Sequence, residues 1–290
     1  MFKIVSDGGC DFTEQEAVSN GIDIVQFYVS FDEDFLKVGQ DITTEQFFNR
    51  LASEKGVFPK TSQPNPQDYI NALTPHLENG DDVFVLTISS KLSGSYQSAM
   101  IAADILSEDF PDRKVIVFDS ETGSIAQGLI LREIIQMRDA GYDINKTLEI
   151  TKKVQATARV YITLDTLEYA KRGGRVGRTT AAVGGILGLR PILQVEDGAV
   201  TQLDSVRGKK SVLRLLSEAT IGALSDEKDK VNLSIGHIFS TKEASTFKET
   251  IESGLGVIIT TPVTELGATI GAHAGPGALG IAYCKKYTEV

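Results

Sequence analysis

Val83-Phe84-Val85-Leu86-Thr87-Ile88 runs directly into Ser89-Ser90-Lys91-Leu92-Ser93-Gly94-Ser95, and this junction decides the architecture of the chain. An unbroken apolar run of strand length, with no polar alternation, fits a strand covered on both faces. The hydroxyl-rich turn after it opens a helical pattern over residues 95–106. The same strand-turn-helix grammar recurs on either side. Residues 2–5, 22–29 and 115–118 read as strands, and 44–53, 66–77 and 124–139 as helices. Strands alternating with helices in this way predict a mostly parallel, helix-covered sheet.

The second half has a different rhythm. A helical stretch over 144–155 leads to Val160-Tyr161-Ile162 and then to a short helix ending at Arg172-Gly173-Gly174. Residues 191–195 and 199–206 flank Glu196-Asp197-Gly198, and an Asp-Gly turn between two such runs predicts a β-hairpin. A helix over 210–224, a strand over 231–239, another helix and a strand over 256–259 complete an α+β pattern. The expected layout is therefore α/β. An N-terminal domain, residues 1–157, holds the mostly parallel sheet, and a C-terminal α+β domain spans residues 158–290.

Composition narrows the function classes. The 290 residues carry 29 Lys and Arg against 39 Asp and Glu, a net charge of −10, which argues against nucleic acid as a partner. Residues 1–7 lack the charged and apolar regions of a signal peptide, and no run of about 18 apolar residues predicts a transmembrane segment. Cys10 and Cys284 are far apart and fit no metal spacing, so no metal site is expected and a cytoplasmic setting is the economical reading.

Two hydroxyl-rich turns stand out, Thr61-Ser62-Gln63-Pro64 and Ser89 to Ser95. Each places small hydroxyls where a helix begins, so each can serve as a helix cap or, if the two converge, as the seat of a small anion. Ser6-Asp7 and Asp119-Ser120 end other strands at the same predicted edge, where ligands bind in open α/β sheets. The segments TSQPNPQDY, SSKLSGSYQSA, VFDSETGSIAQGL and LEYAKRGGRVGR occur in that order. Together they resemble the DegV family of bacterial fatty-acid-binding proteins. The likeness runs from Ser6-Asp7 to Gly271-Ala272-His273-Ala274-Gly275-Pro276-Gly277.

The resemblance implies a lipid-binding carrier rather than an enzyme, with no cofactor beyond a bound long-chain fatty acid. It implies that Thr61 and Ser93 hold the fatty-acid carboxylate, with the acyl-chain pocket completed by the second domain. It also implies that a partner fatty acid kinase phosphorylates the bound acid to an acyl-phosphate that feeds phospholipid synthesis. Arg207 and His273 would serve that step, and Arg172 would dock the partner or orient its loop. Ser62 and Ser95 read as caps, and the small-residue segment 181–188 could shape the channel or pack a helix. Burying a chain of roughly sixteen carbons offers at most about 12 kcal/mol before binding costs.

Of the three histidines, His273 sits in a Gly-rich segment that reads as a loop with no apolar periodicity, which suits a site. His237 reads as a core residue and His76 as solvent-facing. The chain departs from the family after Ser6-Asp7, where Gly8-Gly9 stand in place of hydroxyl residues. Nothing near Cys10 in sequence marks it as a reactive thiol. Two other functions compete with the carrier. A serine hydrolase acting on an acyl ester would use Ser93 as nucleophile and His273 as base, although the G-x-S-x-G elbow is absent. A stand-alone phosphotransferase would need a phosphate loop with a lysine, and none is visible.

Overall fold

The computed structural model describes residues 2–54, 56–176 and 189–290. The first half runs β1 (Lys3–Asp7), α1 (Glu14–Ser19), β2 (Ile22–Val25), β3 (Tyr28–Ser30), β4 (Leu36–Lys37), α2 (Thr44–Ser53), β5 (Lys60–Ser62), α3 (Pro66–Glu78), β6 (Val83–Thr87), α4 (Ser95–Asp109), β7 (Val115–Asp119) and α5 (Ser124–Asp139). The second half continues with α6 (Ile144–Thr157), β8 (Arg159–Thr163), α7 (Glu168–Arg172), β9 (Leu189–Glu196), β10 (Ala199–Arg207), α8 (Lys209–Leu224), β11 (Val231–His237), α9 (Thr241–Leu255), β12 (Val263–Glu265), α10 (Ala268–Ala274) and β13 (Leu279–Lys285).

The expected parallel sheet is present, four strands in the order β2-β1-β6-β7. Its central strand β6 is buried at every position, as the unbroken apolar run predicts. The second sheet has six strands, β10-β9-β8-β13-β11-β12, antiparallel except for the β11–β12 pair. The Asp197-Gly198 hairpin forms as read, with both turn residues at positive φ.

Three readings need correction. Residues 22–29 are two strands in different sheets: β2 joins the parallel sheet, while β3 pairs antiparallel with β4 and β5. Residues 256–259 form no strand, and the edge strand is Val263–Glu265 instead. Strand β13, which the expected α+β pattern does not include, lies at the centre of the second sheet between β8 and β11. The small-residue segment 181–188, proposed to shape the channel, lies outside the described residues.

Helix α5 joins the two halves. It is apolar and buried around most of its circumference, packing on β8, β11 and β13. Its Glu133 is fully buried; Oε1 accepts from Asn232 Nδ2 at 2.6 Å and Oε2 from the Tyr287 backbone N–H at 2.5 Å. Burial raises the Glu133 pKa, and the two donors offset part of that. The largest core cluster accordingly draws on both sides of residue 157, from Phe2 to Cys284.

Candidate functional site

A cavity lies between the carboxyl edge of the parallel sheet and one face of the second sheet. The space open to the centres of water-sized spheres is about 120 Å³. Ile88 and Ser124 contribute from the first sheet's turns, and Val160, Ile162, Leu193 and Val195 from β8 and β9. These walls are apolar and branched, suited to methylene groups and offering them few polar partners. The tip of the β9–β10 hairpin is clasped to the first half, where Ser89 Oγ donates to the Gly198 carbonyl at 2.7 Å.

Thr61, Ser93, His273 and Arg175 form a polar cluster on this cavity. Thr61 stands on β5 opposite Val29 of β3, so a short antiparallel ladder sets its position. Thr61 Oγ1 and His273 Nε2 are 2.8 Å apart in a hydrogen bond. Ser93 belongs to the turn after β6, which is closed by backbone N–H groups of Leu92 and Ser93 donating to the Ser89 carbonyl. Its Oγ accepts from the Ser95 N–H at 3.2 Å. Gln63, one step beyond β5, donates from Nε2 to Ser98 Oγ on α4 at 3.3 Å, tying the two hydroxyl-rich turns together.

The expected capping roles are distributed differently. Asn65 caps α3 through a capping box with Asp68, while Gly94 precedes α4 without a side-chain cap. Ser95 is buried and donates instead to Asp7 Oδ2 at 2.6 Å, with Tyr69 OH 2.7 Å from the same hydroxyl. Asp7 is the hub beneath the turns. Its Oδ1 accepts from Gly9 N–H and Gln127 Nε2 at 3.1 and 2.9 Å, and Oδ2 also accepts from Ile88 N–H at 3.0 Å. Burial raises the Asp7 pKa while this donor set pulls it back. The Gly9 N–H is therefore committed to Asp7, and Gly8 and Gly9 are not on the cavity wall. Burial pushes the neighbouring Cys10 thiol up to about 12, which makes it unreactive.

His273 is not in a loop. It occupies the last turn of α10, whose Ala268, Thr269, Gly271, Ala272 and Ala274 are buried. Small residues hid this helix, because they leave little apolar periodicity to read. Burial, reinforced by the charge of Arg175, holds the His273 pKa down to about 4, so the imidazole is neutral at pH 7. Its Nδ1 has no partner among the described residues and abuts Gly173, where any Cβ would overlap it. Asp11, which the sequence does not single out, joins two further wall elements. It accepts from Ser124 Oγ at 2.5 Å and from the Gly267 N–H, at the start of α10, at 2.8 Å. Burial raises its pKa to about 7.

The other expected residues do not line the cavity. Arg172 is exposed on α7, with its guanidinium carbon 3.9 Å from the centroid of the Phe58 ring and its Nε 3.4 Å from Glu168. Arg207 is exposed at the open end of the hairpin, paired with Leu189, whereas the cavity residue Val200 pairs with Val195 near the tip. Leu193, another cavity residue, lies four positions along β9 from Leu189, the partner of Arg207, or roughly 13 Å. His237 is buried as expected, but His76 is not simply solvated: its Nε2 pairs with Asp23 Oδ2 at 2.5 Å. For a hydrolase, the imidazole is on the wrong hydroxyl, since His273 bonds Thr61 rather than Ser93. No carboxylate among the described residues backs its Nδ1.

No group of three or more His, Cys, Asp or Glu able to hold a metal occurs among the described residues. No described helix is long and apolar enough to cross a membrane.

Two sheets enclosing an apolar cavity with hydroxyls and an imidazole on its wall form a small-molecule-binding α/β scaffold. Residues 1–286 match the family described as "Uncharacterised protein, DegV family", and the chain belongs to that family. A DegV domain-containing protein of Clostridium perfringens is 31% identical over 285 residues, covering 98% of this chain and 99% of its own. The structure is similar to a crystal structure of a stearic acid-binding protein from Eubacterium ventriosum (TM-score 0.95, 30% identity, all of both chains). It is also similar to a DegV family protein from Thermus thermophilus described for fatty acid binding (TM-score 0.88, 28% identity, 98% of this chain and 99% of the other).

Proposed function

We propose that this protein binds one long-chain fatty acid, with its carboxylate at Thr61 and Ser93 and its acyl chain between the two sheets. One arrangement carries this reading: Thr61, Ser93 and His273 share a cavity whose other walls are largely apolar. Each hydroxyl can donate to a carboxylate, and hydrogen bonds to a charged acceptor are about twice as strong as neutral ones. The acyl chain supplies most of the affinity, and the head-group bonds fix which end faces out. The fatty-acid-binding descriptions of the Eubacterium and Thermus proteins support the same ligand class.

In this reading the protein is a carrier that presents the carboxylate to a partner fatty acid kinase in the cytoplasm. The acyl-phosphate made there then passes to phospholipid synthesis. A closed apolar site suits such cargo, because an acyl-phosphate survives where water is excluded. His273 would meet the group being phosphorylated, and the exposed Arg172 and Arg207 would meet the kinase from outside the cavity. Substituting either arginine by alanine should leave fatty-acid affinity within about twofold, as expected of surface changes, and slow phosphorylation by the kinase.

Native mass spectrometry of freshly purified protein, followed by denaturation and lipid identification, tests the central claim. One long-chain acid per chain is expected. Protein that is empty and takes up no added acid would overturn the reading.

A further inference from the structure

The cavity wall carries a second pair of hydroxyls, apart from the polar cluster. Ser124, the first residue of α5, and Thr269, on α10, both line it, among apolar neighbours such as Ile88, Val160 and Ile270. Helix α10 turns Thr269, Ile270, His273 and Ala274 to the cavity, and positions spaced i, i+1, i+4 and i+5 make one helix face. Thr269 therefore shares the face of His273 but lies one turn away, about 6 Å along the axis. It is buried, and its hydroxyl makes no hydrogen bond among the described residues, not even to the carbonyl four residues earlier that helical threonines often use. Ser124 Oγ donates to Asp11 Oδ2 at 2.5 Å, and Asp11 Oδ1 accepts at 2.8 Å from the N–H of Gly267, two residues before Thr269. One carboxylate thus holds the two hydroxyl-bearing elements side by side, and Ser124 Oγ keeps its lone pairs for an incoming donor. Gln194, a further polar residue of the wall, is bonded to Glu196.

A saturated chain laid over this wall would take the Thr269 hydroxyl out of water and give it nothing to bond, which disfavours binding. A hydroxyl on the chain removes that cost. It can donate to Ser124 Oγ and accept from Thr269 Oγ1, which satisfies all three groups. We propose that Ser124 and Thr269 form a second polar subsite, and that hydroxy fatty acids with the hydroxyl near the sixth carbon are a preferred class of cargo. The position follows from the one-turn offset between Thr269 and His273, about 6 Å, which an extended chain covers in roughly five C–C bonds. This inference rests on the fatty-acid reading above, because the carbons are counted from a carboxylate at Thr61 and Ser93.

The test measures binding of octadecanoic acid and of its 6-hydroxy and 12-hydroxy derivatives to the delipidated full chain, by displacement of a fluorescent lipid. Wild type, Thr269→Val and Thr269→Ser are compared. Wild type should bind the 6-hydroxy acid at least as tightly as the parent acid. It should bind the 12-hydroxy acid about tenfold or more weakly, since that hydroxyl is buried among apolar walls. Thr269→Val keeps the side-chain shape and removes the hydroxyl, so it should weaken the 6-hydroxy acid about tenfold while the parent acid binds as well as before or better. Thr269→Ser should restore most of the wild-type preference. Wild type that disfavours both hydroxy acids alike overturns the proposal, as does a Thr269→Val protein that still binds the 6-hydroxy acid as tightly as the parent. Loss of all three acids together in Thr269→Val also overturns it, because the threonine would then be structural. Wild type that takes up none of the three would instead bring down the carrier reading itself.

Discussion

Thr61 stands on β5 and Ser93 in the turn after β6, yet both reach one cavity with His273 hydrogen-bonded to the first of them. Replacing both by alanine removes two donors to a charged acceptor, each worth about 1.5–3 kcal/mol. Fatty-acid affinity should fall about a hundredfold or more in a displacement assay, and the melting temperature should drop as well, because Thr61→Ala strands the His273 Nε2. Affinity within threefold of wild type would place the carboxylate elsewhere. Two buried titratable groups near this site act oppositely on stability. His273 titrates at about 4 when folded against 6.5 in its ordinary state, so between those values the unfolded chain holds the extra proton and the contribution of His273 rises with pH. Asp11 titrates at about 7 against 3.8, so the folded chain holds the extra proton and its contribution falls as pH rises across that interval. Relative to wild type, Asp11→Asn should therefore gain stability from about pH 4 to 7, and His273→Gln should lose it from about pH 4 to 6.5, each by at most about 1.4 kcal/mol per pH unit. Urea midpoints across that range decide both. Parallel curves for variant and wild type would mean that the groups titrate normally.

At the scale of elements, what could be read in advance follows from side-chain size. The bulky runs of β1, β6 and β7 and the helices over 44–53 and 124–139 announce themselves, because their apolar residues repeat at strand or helix spacing. Strand β5, which carries Thr61, is three residues long and half-exposed, so only its partner β3 reveals it. Helix α10 is built mostly from glycine and alanine, and strand β13 breaks its larger residues with Gly280 and Ala282, where burial comes from close approach and local propensity is weak. Arg175 was visible only as part of a basic turn, and nothing local to Asp11 or Asp7 announces the partners that the fold brings to them. Gly280 shows what β13 requires. A Cβ there would lie 2.9 Å from both the Tyr161 carbonyl oxygen and Ile162 Cγ1 of β8, and backbone cannot swing aside as a side chain can. Gly280→Val should therefore destabilise the protein by about 1–3 kcal/mol, the range of overpacked interiors. A urea midpoint equal to that of wild type would show that β8 and β13 can part at no cost.

Over the whole molecule, the halves are joined through α5 by apolar packing and by the buried Glu133. Glu133→Ala strands the Asn232 amide and the Tyr287 N–H, and should cost about 2–4 kcal/mol in urea unfolding. A loss under about 0.5 kcal/mol would mean that water replaces the carboxylate. The second connection is of another kind. Among the described residues, the tip of the hairpin that walls the cavity is tied to the first half by a hydrogen bond from Ser89, two residues beyond the end of β6, to Gly198. Gly198 tolerates no substitute there, since its φ is +77° and a Cβ would stand 2.6 Å from Ser89 Oγ. The strands of that hairpin are held by β8 along β9, but its tip projects beyond that pairing to the first half, which makes ligand lifetime a property separable from ligand affinity. Loosening the tip with Ser89→Ala should quicken entry and escape alike, several-fold in stopped-flow exchange, with the equilibrium constant nearly unmoved. Unchanged exchange rates would mean that the ligand passes by another route. Faster exchange at constant affinity would mean that one hydroxyl sets how long a molecule of cargo stays aboard, while many carbon atoms set how tightly it is held.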